Sequence, residues 1–198
     1  SFYSNVRRKF EIFVKDNKPV GDKWSFDEEN RKRVPKNYQS PSSPLFESKH
    51  FDSIQKIINK YFKNHFGVLN KKIIFPMSFK DSNKVLEHFI NQKLENFGHY
   101  EDFVSTEDQY INHSLISAPL NMGLLTPKDI LDKLNSISYT KVGINNYEGF
   151  IRQVFGWREF MRYLNIHYYK DFNKTNFFGN DRKLTNHWYE GTTNIPIL

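Results

Sequence analysis

The chain contains no cysteine among its 198 residues. This absence excludes disulfides, a cysteine nucleophile and any thiolate-held zinc or iron–sulfur cluster built from this chain. Long apolar runs are also missing: no stretch is long enough to cross a bilayer as a helix, and the N-terminal SFYSNVRRKF lacks the hydrophobic segment of a signal peptide. We therefore expect a soluble, intracellular protein of the cytoplasm with no membrane partner.

The motifs of several common enzyme classes are missing as well. GxSxG, the P-loop and GxGxxG do not occur, so conventional hydrolase and nucleoside-triphosphate chemistry have no support in the sequence. The seven histidines are scattered, without HExxH or any paired ligand spacing. Histidines placed in this way are usually structural or surface groups, and we expect no metal site.

Positive charge and aromatic residues are what the chain has in quantity. Lys and Arg outnumber Asp and Glu by 29 to 22, which gives a net charge of +7 and a pI of about 9.4. This balance favours polyanionic partners, nucleic acid above all, although lysine-rich compositions also occur for solubility alone. Aromatic residues form 17% of the chain, which is enough apolar bulk for one core. Because the sequence starts without Met, we interpret it as a segment of a longer protein.

Apolar residues recur mainly at helical spacing, and no alternating strand pattern of useful length occurs. The pattern predicts one helix over residues 2–16 and a second from Phe51 to Tyr61. Between them, residues 17–50 contain the serine- and proline-rich SPSSP and a charged cluster, which predict a long irregular arm. The predicted fold class is therefore all-α with an irregular arm.

Capping residues predict helix boundaries in the second half of the chain. Ser78 or Ser82 is expected to cap a helix that Gly98 closes. Ser117 is a candidate N-cap for a short helix that has a proline in its first turn. Thr126 is expected to cap the next helix, with proline at the first position and an aspartate in the first turn.

The longest predicted helix spans residues 147–168. Five apolar side chains fall on one stripe, which would seat this helix in a core: Phe150, Val154, Trp157, Met161 and Leu164. Another face aligns Arg152, Gly156, Glu159 and Tyr163. A glycine in mid-helix costs about 1 kcal/mol relative to alanine. Gly156 therefore either lets a neighbouring helix pack close or leaves room for a flat or bulky ligand.

Two further segments contain polar residues that could hold a ligand. In NHSLISAPLNMGLL (112–125), the hydroxyls of Ser114 and Ser117 lie just before a helix N-terminus, where free N–H groups and the helix dipole attract phosphate. Simple N-capping is the alternative. In FGHYEDF (97–103), Tyr100 stands beside two carboxylates at a helix junction. The alternative there is a turn with a buried aromatic side chain.

Five motifs together resemble one family, the cryptochrome/photolyase superfamily. They are PVGDKWSFDEENRKRVP (19–35), FGHYEDF, HSLISAPLNMGLL, the GWREF helix, and HWYEGTTNIP (187–196). Within the superfamily, the chain resembles the deoxyribodipyrimidine photolyase-related branch, which includes the bacterial (6-4) photolyases. All five occur in order and with matching spacing, so the resemblance covers nearly the whole chain.

The resemblance implies a FAD-dependent, light-driven DNA photolyase, a carbon–carbon lyase that reverses a pyrimidine photoproduct of the (6-4) type. It implies damaged DNA as the partner and a monomeric protein. Residues 1–75 would form a linker helix and an irregular interdomain arm, and residues 76–198 the N-terminal half of the helical FAD-binding domain. The C-terminal half of that domain would be absent from this chain. An antenna chromophore would belong to a missing N-terminal α/β domain.

Site residues follow from the same resemblance, motif by motif. Residues expected to contact FAD, mainly at its pyrophosphate, are Tyr100, Ser114, Leu115, Ile116, Ser117, Gln153 and Arg158. Glu159 and Trp157 are the expected catalytic residues of the helix that lines the flavin and the substrate. The expected lesion-binding residues are Arg152, Gly156 and Glu159. The resemblance thus favours the ligand interpretation of Gly156.

Some positions depart from the family pattern. Asp22 replaces the second glycine of the linker motif; Asp tolerates unusual backbone angles, so the turn is expected to survive. Phe103 replaces an alanine, and Thr193-Asn194 replaces the usual Thr-Asp or Thr-Gly. Relatives with an iron–sulfur cluster have its first cysteine near Ile197, and this chain offers no such ligand.

Two other functions fit the same residues. One is a cryptochrome-like blue-light photoreceptor, which binds FAD and signals without repairing DNA. The other sets the resemblance aside and treats the chain as a basic helical DNA-binding module without a cofactor. Flavin absorption and a light-dependent repair assay separate these alternatives.

Overall fold

A computed structural model describes residues 1–65, 67–174 and 176–193. The helices are α1 (Phe2–Lys9), α2 (Phe51–Tyr61), α3 (Phe79–His88), α4 (Leu94–Tyr100), α5 (Ser117–Asn121), α6 (Pro127–Asn135), α7 (Tyr139–Val142), α8 (Ile144–Ile151), α9 (Trp157–Phe172) and α10 (Asn186–Glu190). Two turns of π-helix, Phe89–Lys93 and Arg152–Gly156, join α3 to α4 and α8 to α9. The all-α fold class is confirmed.

Strands occur only as short pairs within the described residues. Strand β1 (Val14–Lys15) pairs with β2 (Lys18–Pro19), and β3 (Phe46–Glu47) pairs with β4 (Lys72–Ile73), both antiparallel. Within the same residues, no helix combines the length and the apolar composition that a membrane crossing requires.

The described residues divide into two compact units, Ser1–Phe160 and a second that begins at Met161. The first unit runs across residue 75, where the sequence places the junction between the arm and the helical domain. The second unit contains α10 and the part of α9 from Met161 onward. Within it, the ring centroids of Tyr163 and His167 are 4.4 Å apart.

The core of the first unit is built around the contact between α4 and α8. The Phe89, Phe97 and Phe150 rings pack together with centroids 4.5–5.5 Å apart. A β-carbon at Gly98 would lie 2.8 Å from the Cα of Asn146, so the close approach of the two helices requires glycine there. The prediction that Gly98 closes the helix is therefore wrong, since α4 continues through it to Tyr100.

The N-terminal helix is shorter than predicted. It ends at Lys9, and the chain then turns into the β1–β2 hairpin. The two residues between the strands, Asp16 and Asn17, have φ angles of 48° and 63°, which fit a type I′ turn. The prediction of a helix over 2–16 failed because the apolar spacing continues into a segment whose Asp and Asn favour a left-handed turn.

Capping was predicted with mixed success. Thr126 forms the expected capping box with Asp129, with Pro127 at the first position of α6. Ser78 caps α3, whereas Ser82 lies inside that helix and its hydroxyl donates to the Ser78 carbonyl. Ser117 is not a cap, because it is the first helical residue of α5 and no side chain caps that helix.

The helix predicted over 147–168 is interrupted by the second π-turn. Phe150 and Val154 are buried as predicted, but Trp157 is 55% exposed and Met161 58% exposed. A π-turn adds one residue to a turn, which rotates the residues after it by about 100° about the helix axis. The single apolar stripe from Phe150 to Leu164 is therefore wrong beyond Val154.

Candidate functional site

An open cavity of about 500 Å³ lies between the loop before α5 and the second π-turn. Its wall contains six of the residues that the sequence assigned to the cofactor: Ser114, Leu115, Ile116, Ser117, Gln153 and Arg158. The loop supplies the first three, α5 begins with Ser117, and the π-turn and α9 supply the other two. Phe97 and Phe150 bring aromatic surface from the core to the same cavity.

The loop is held in shape by the irregular arm. The Asp108 carboxylate accepts hydrogen bonds from the backbone N–H groups of Tyr110 and Ile111, at 2.9 and 3.0 Å. Its other oxygen accepts from the Ser40 hydroxyl, and the Tyr38 hydroxyl donates to Asn112 Oδ1 at 2.8 Å. The arm thus fixes the backbone that leads into the cavity wall.

The cavity wall offers hydrogen-bond donors that the chain does not use itself. Leu115 has a φ of 57°, a left-handed conformation that an apolar residue adopts only under constraint. The hydroxyls of Ser114 and Ser117 make no hydrogen bond within the described part of the chain. Together with the Arg158 guanidinium, they provide a donor set suited to a phosphate or diphosphate group.

The cavity wall also contains a buried carboxylate, Glu101. Its oxygens accept hydrogen bonds from Arg152 at 3.0 Å and from Gln153 and Asn30 at 3.4 Å each. Burial raises the pKa of Glu101, and the Arg152 guanidinium opposes that rise. Asp102 also lines the cavity. An anionic ligand would therefore be attracted to Arg158 and the serine hydroxyls rather than to the two carboxylates.

Arg152 is the centre of a buried ion-pair network. Its guanidinium lies 3.0 Å from Glu101, 3.0 Å from Asp27 and 3.5 Å from Glu148. Glu148 is completely buried and also accepts from the Tyr3 hydroxyl and the Phe26 N–H, each at 2.9 Å. The network ties α8 and the second π-turn to the N-terminal helix and to the arm.

Gly156 and Trp157 border a different recess, of about 340 Å³, with aromatic walls. It is lined by Phe2, Tyr3, Phe160 and Arg152 as well. A β-carbon at Gly156 would lie 3.0 Å from two carbons of the Tyr3 ring, so in this chain the glycine allows α1 to pack close. Trp157 is the exposed aromatic side chain at the edge of this recess.

The remaining predicted residues lie elsewhere. Glu159 borders a groove of about 460 Å³ together with Phe10, Ile12 and Lys128. Arg158 borders both this groove and the main cavity. Tyr100, at the end of α4, packs against the Tyr38 ring with centroids 5.4 Å apart and is not part of the main cavity wall. The structure therefore separates the predicted residues into three surfaces, with Tyr100 outside all of them.

Sequence reasoning missed several residues of the main cavity, chiefly Glu101, Asp102 and His113. The two carboxylates beside Tyr100 were visible in FGHYEDF, but their direction depends on how α4 ends. His113 immediately precedes the serine loop, and its nearness to the motif was the available signal.

His113 is expected to make the free energy of unfolding depend on pH. Burial lowers the pKa of His113, and the Lys93 ammonium lowers it further; the pKa of His88 is lowered in the same way. The unfolded chain then binds protons at a higher pH than the native chain does, so the free energy of unfolding should fall as the pH drops from about 7.5 to about 5.5. Urea unfolding across this range should show a shallower fall for His113→Gln. The exposed His65→Gln should retain the wild-type slope, and an equal slope in all three proteins would refute the assignment.

No group of three or more His, Cys, Asp or Glu side chains is arranged to hold a metal ion in the described ranges. Ile197, where the resemblance places an iron–sulfur cysteine, lies outside the described residues, as does Asn194. At the linker motif, Asp22 has a φ of 63° next to Gly21 at 79°, so the turn with aspartate in place of glycine is confirmed.

Comparison with known sequences identifies relatives along the whole chain. The family described as deoxyribodipyrimidine photo-lyase-related protein matches residues 1–73. A (6-4) photolyase of Agrobacterium fabrum is 35% identical over 203 aligned positions, which cover 100% of this chain and 39% of that protein. The chain thus spans well under half the length of this relative.

Two proteins of Acanthamoeba polyphaga mimivirus are also similar. Uncharacterized protein R853 is 42% identical over 99 residues, covering 48% of this chain and 74% of that protein. Uncharacterized protein R852 is 49% identical over 35 residues, covering 18% of each.

Proposed function

The chain belongs to the deoxyribodipyrimidine photolyase-related family, and on this premise we propose that it forms part of a FAD-dependent, light-driven DNA photolyase of the (6-4) type. The observation that carries the proposal is the convergence of Ser114, Ser117, Gln153 and Arg158 on one cavity. These residues come from two motifs about 40 positions apart in the sequence. In this proposal residues 1–75 serve as the linker and arm, and residues from 76 onward form half of the FAD-binding domain.

The chemistry of the cavity fits the pyrophosphate end of FAD. A diphosphate needs several N–H and O–H donors and a cation, and the serine hydroxyls with the Arg158 guanidinium supply both. A volume of about 500 Å³ lies within the common range for ligand sites and suits part of a dinucleotide. Phe97 and Phe150 would contact apolar parts of the ligand. When bound, FAD would supply the light-absorbing group and the electron for repair.

The aromatic recess at Gly156 is the proposed contact for the DNA lesion. Trp157 offers an exposed indole face on which an extruded base can stack, a contact worth about 1–3 kcal/mol per base in single-strand binding. In this role Arg152 acts as a positioning residue, because its guanidinium is engaged by three carboxylates. Glu159 borders a separate groove with Phe10 and Lys128, so it is not part of this proposed contact. The net charge of +7 favours binding to the phosphate backbone of DNA.

A repair assay on the full reading frame tests the proposed activity. The reduced, FAD-loaded protein should reverse a (6-4) photoproduct in an oligonucleotide under blue light. Trp157→Ala should lower the affinity for the lesion about tenfold, as expected for the loss of one stacking contact. Flavin content should not change. The control is Tyr61→Ala, an exposed aromatic residue on α2.

Two outcomes would favour other functions. Bound flavin without any lesion reversal would support a blue-light photoreceptor. A colourless protein that cannot be reconstituted with FAD would support a DNA-binding module without a cofactor. Equal repair by the wild-type protein and Trp157→Ala would remove Trp157 from the lesion site.

A further inference from the structure

Lys93 is a buried lysine that the proposed photolyase chemistry does not use. It ends the first π-turn, and only 2% of its surface is exposed. Its ammonium donates one hydrogen bond, to the Ser43 hydroxyl at 3.0 Å, and no carboxylate lies within ion-pair distance among the described residues. Burying an ammonium without a full set of hydrogen-bond acceptors destabilises the folded chain, because the lost hydration is not replaced. The chain therefore leaves this cation only partly compensated.

A cavity of about 350 Å³ lies next to Lys93, separate in its lining from the main cavity. Four residues of its wall carry hydroxyl groups, namely Ser40, Ser42, Ser43 and Tyr110, and Pro41, Leu45, Ile74 and Asp108 complete the wall around Lys93. The three serines belong to the SPSSP segment of the arm. A buried cation beside several neutral hydroxyl donors is the composition of a site for a small anion.

Asp108 is the one carboxylate in the described wall of this cavity, and its oxygens are already occupied. One accepts from the N–H groups of Tyr110 and Ile111, and the other accepts from the Ser40 hydroxyl. These bonds hold Asp108 to its own loop. The Lys93 ammonium, with one neutral partner, is the group in this cavity that still needs an acceptor.

We propose that this cavity binds a small tetrahedral oxyanion of the phosphate class, held by the Lys93 ammonium and the hydroxyls of Ser42, Ser43 and Tyr110. The anion is either free phosphate or the phosphate of a nucleotide. Burial lowers the pKa of Lys93 and Asp108 opposes that shift; a bound anion adds to the opposition and stabilises the charged form.

Binding at this site would also act on the main cavity. Asp108 and Tyr110 begin the loop that continues to His113 and the serine motif. Ser42 and Ser43 belong to the arm whose neighbours Tyr38 and Ser40 hold this loop. An anion that joins arm and loop would therefore stabilise the wall of the proposed flavin site without touching the flavin.

Calorimetric titration of the chain with inorganic phosphate tests the proposal, at constant ionic strength with chloride as the balancing anion. Phosphate should bind saturably and raise the melting temperature. Lys93→Met, which keeps the length and removes the charge, should weaken phosphate binding by at least about tenfold. Lys84→Met, on the exposed surface of α3, is the matched control and should bind as the wild type does.

The variant Arg158→Gln distinguishes phosphate binding at Lys93 from phosphate binding in the main cavity. Phosphate binding that persists in Arg158→Gln and is lost in Lys93→Met would support the proposal. Absence of saturable binding in the folded wild-type chain would overturn it, as would unchanged affinity in a folded Lys93→Met. A parallel titration with adenosine monophosphate assigns the source: tighter binding than phosphate identifies a nucleotide, and equal or weaker binding identifies the free ion. If Lys93→Met loses phosphate binding but retains FAD binding, the phosphate site at Lys93 is independent of the proposed FAD site.

Discussion

Replacing Arg152 with methionine should lower the free energy of unfolding by about 3–5 kcal/mol, the usual cost of removing one member of a buried ion pair. The side chains of Glu148 and Glu101 are 0% and 5% exposed, and both would lose their cation. Methionine fills most of the volume, so the effect comes from uncompensated charge rather than from a cavity. Urea or thermal unfolding of the purified chain measures it.

Arg31→Met provides the matched control, because Arg31 pairs with the same Asp27 but its side chain is 67% exposed. It should leave the melting temperature unchanged. Adding Glu101→Gln to Arg152→Met should restore part of the loss by removing one buried charge. If Arg152→Met unfolds like Arg31→Met, the network does not hold the first unit together.

Replacing Arg158 with glutamine should weaken FAD binding by about tenfold to a hundredfold, the range for one charge-assisted hydrogen-bond donor. Arg158 is the one arginine in the described wall of the main cavity, where Glu101 and Asp102 supply negative charge. Without it, a diphosphate would face those carboxylates with only hydroxyl and N–H donors. Flavin fluorescence titration measures the change.

The control for Arg158 is Arg33→Gln, an exposed arginine of the arm outside the main cavity. Its FAD affinity should equal that of the wild type, and both variants should keep the wild-type far-ultraviolet circular dichroism. An Arg158→Gln protein that binds FAD normally would show that the cavity does not hold the pyrophosphate.

Local sequence signals predicted those parts of the fold that depend on local chemistry. The Thr126 capping box and the α2 helix are set by residues a few positions apart, and both are confirmed. The left-handed conformation at Asp22 is confirmed for the same reason. The prediction of a helix over residues 2–16 was wrong because apolar spacing alone does not reveal a two-residue turn.

The π-turns could not be predicted, because nothing in a helical pattern marks an inserted residue. The turn at Arg152–Gly156 moved Trp157 from the predicted core to the surface. The buried charges were missed for a related reason. Arg7 is completely buried and donates to the carbonyls of Ile12, Phe13 and Trp24, contacts that exist only once the hairpin has folded.

The grouping of site residues was predictable from motifs rather than from periodicity. Ser114, Ser117 and Arg158 are brought to one cavity by elements far apart in the chain, and the order of the family motifs anticipated that. The involvement of Glu101 and His113 depended on the orientation of α4 and of the loop, which no local pattern fixes. The arm contributes through Tyr38 and Ser40, whose partners lie 74 and 68 positions away.

The central claim is that the main cavity binds the diphosphate part of FAD, and one competition titration tests it most directly. The chain is titrated with FAD, and ADP and riboflavin are then added as competitors. We predict saturable FAD binding that ADP displaces, that riboflavin does not displace, and that Arg158→Gln weakens by at least about tenfold. Absence of saturable FAD binding, or FAD binding that ADP cannot displace and Arg158→Gln does not change, would contradict it.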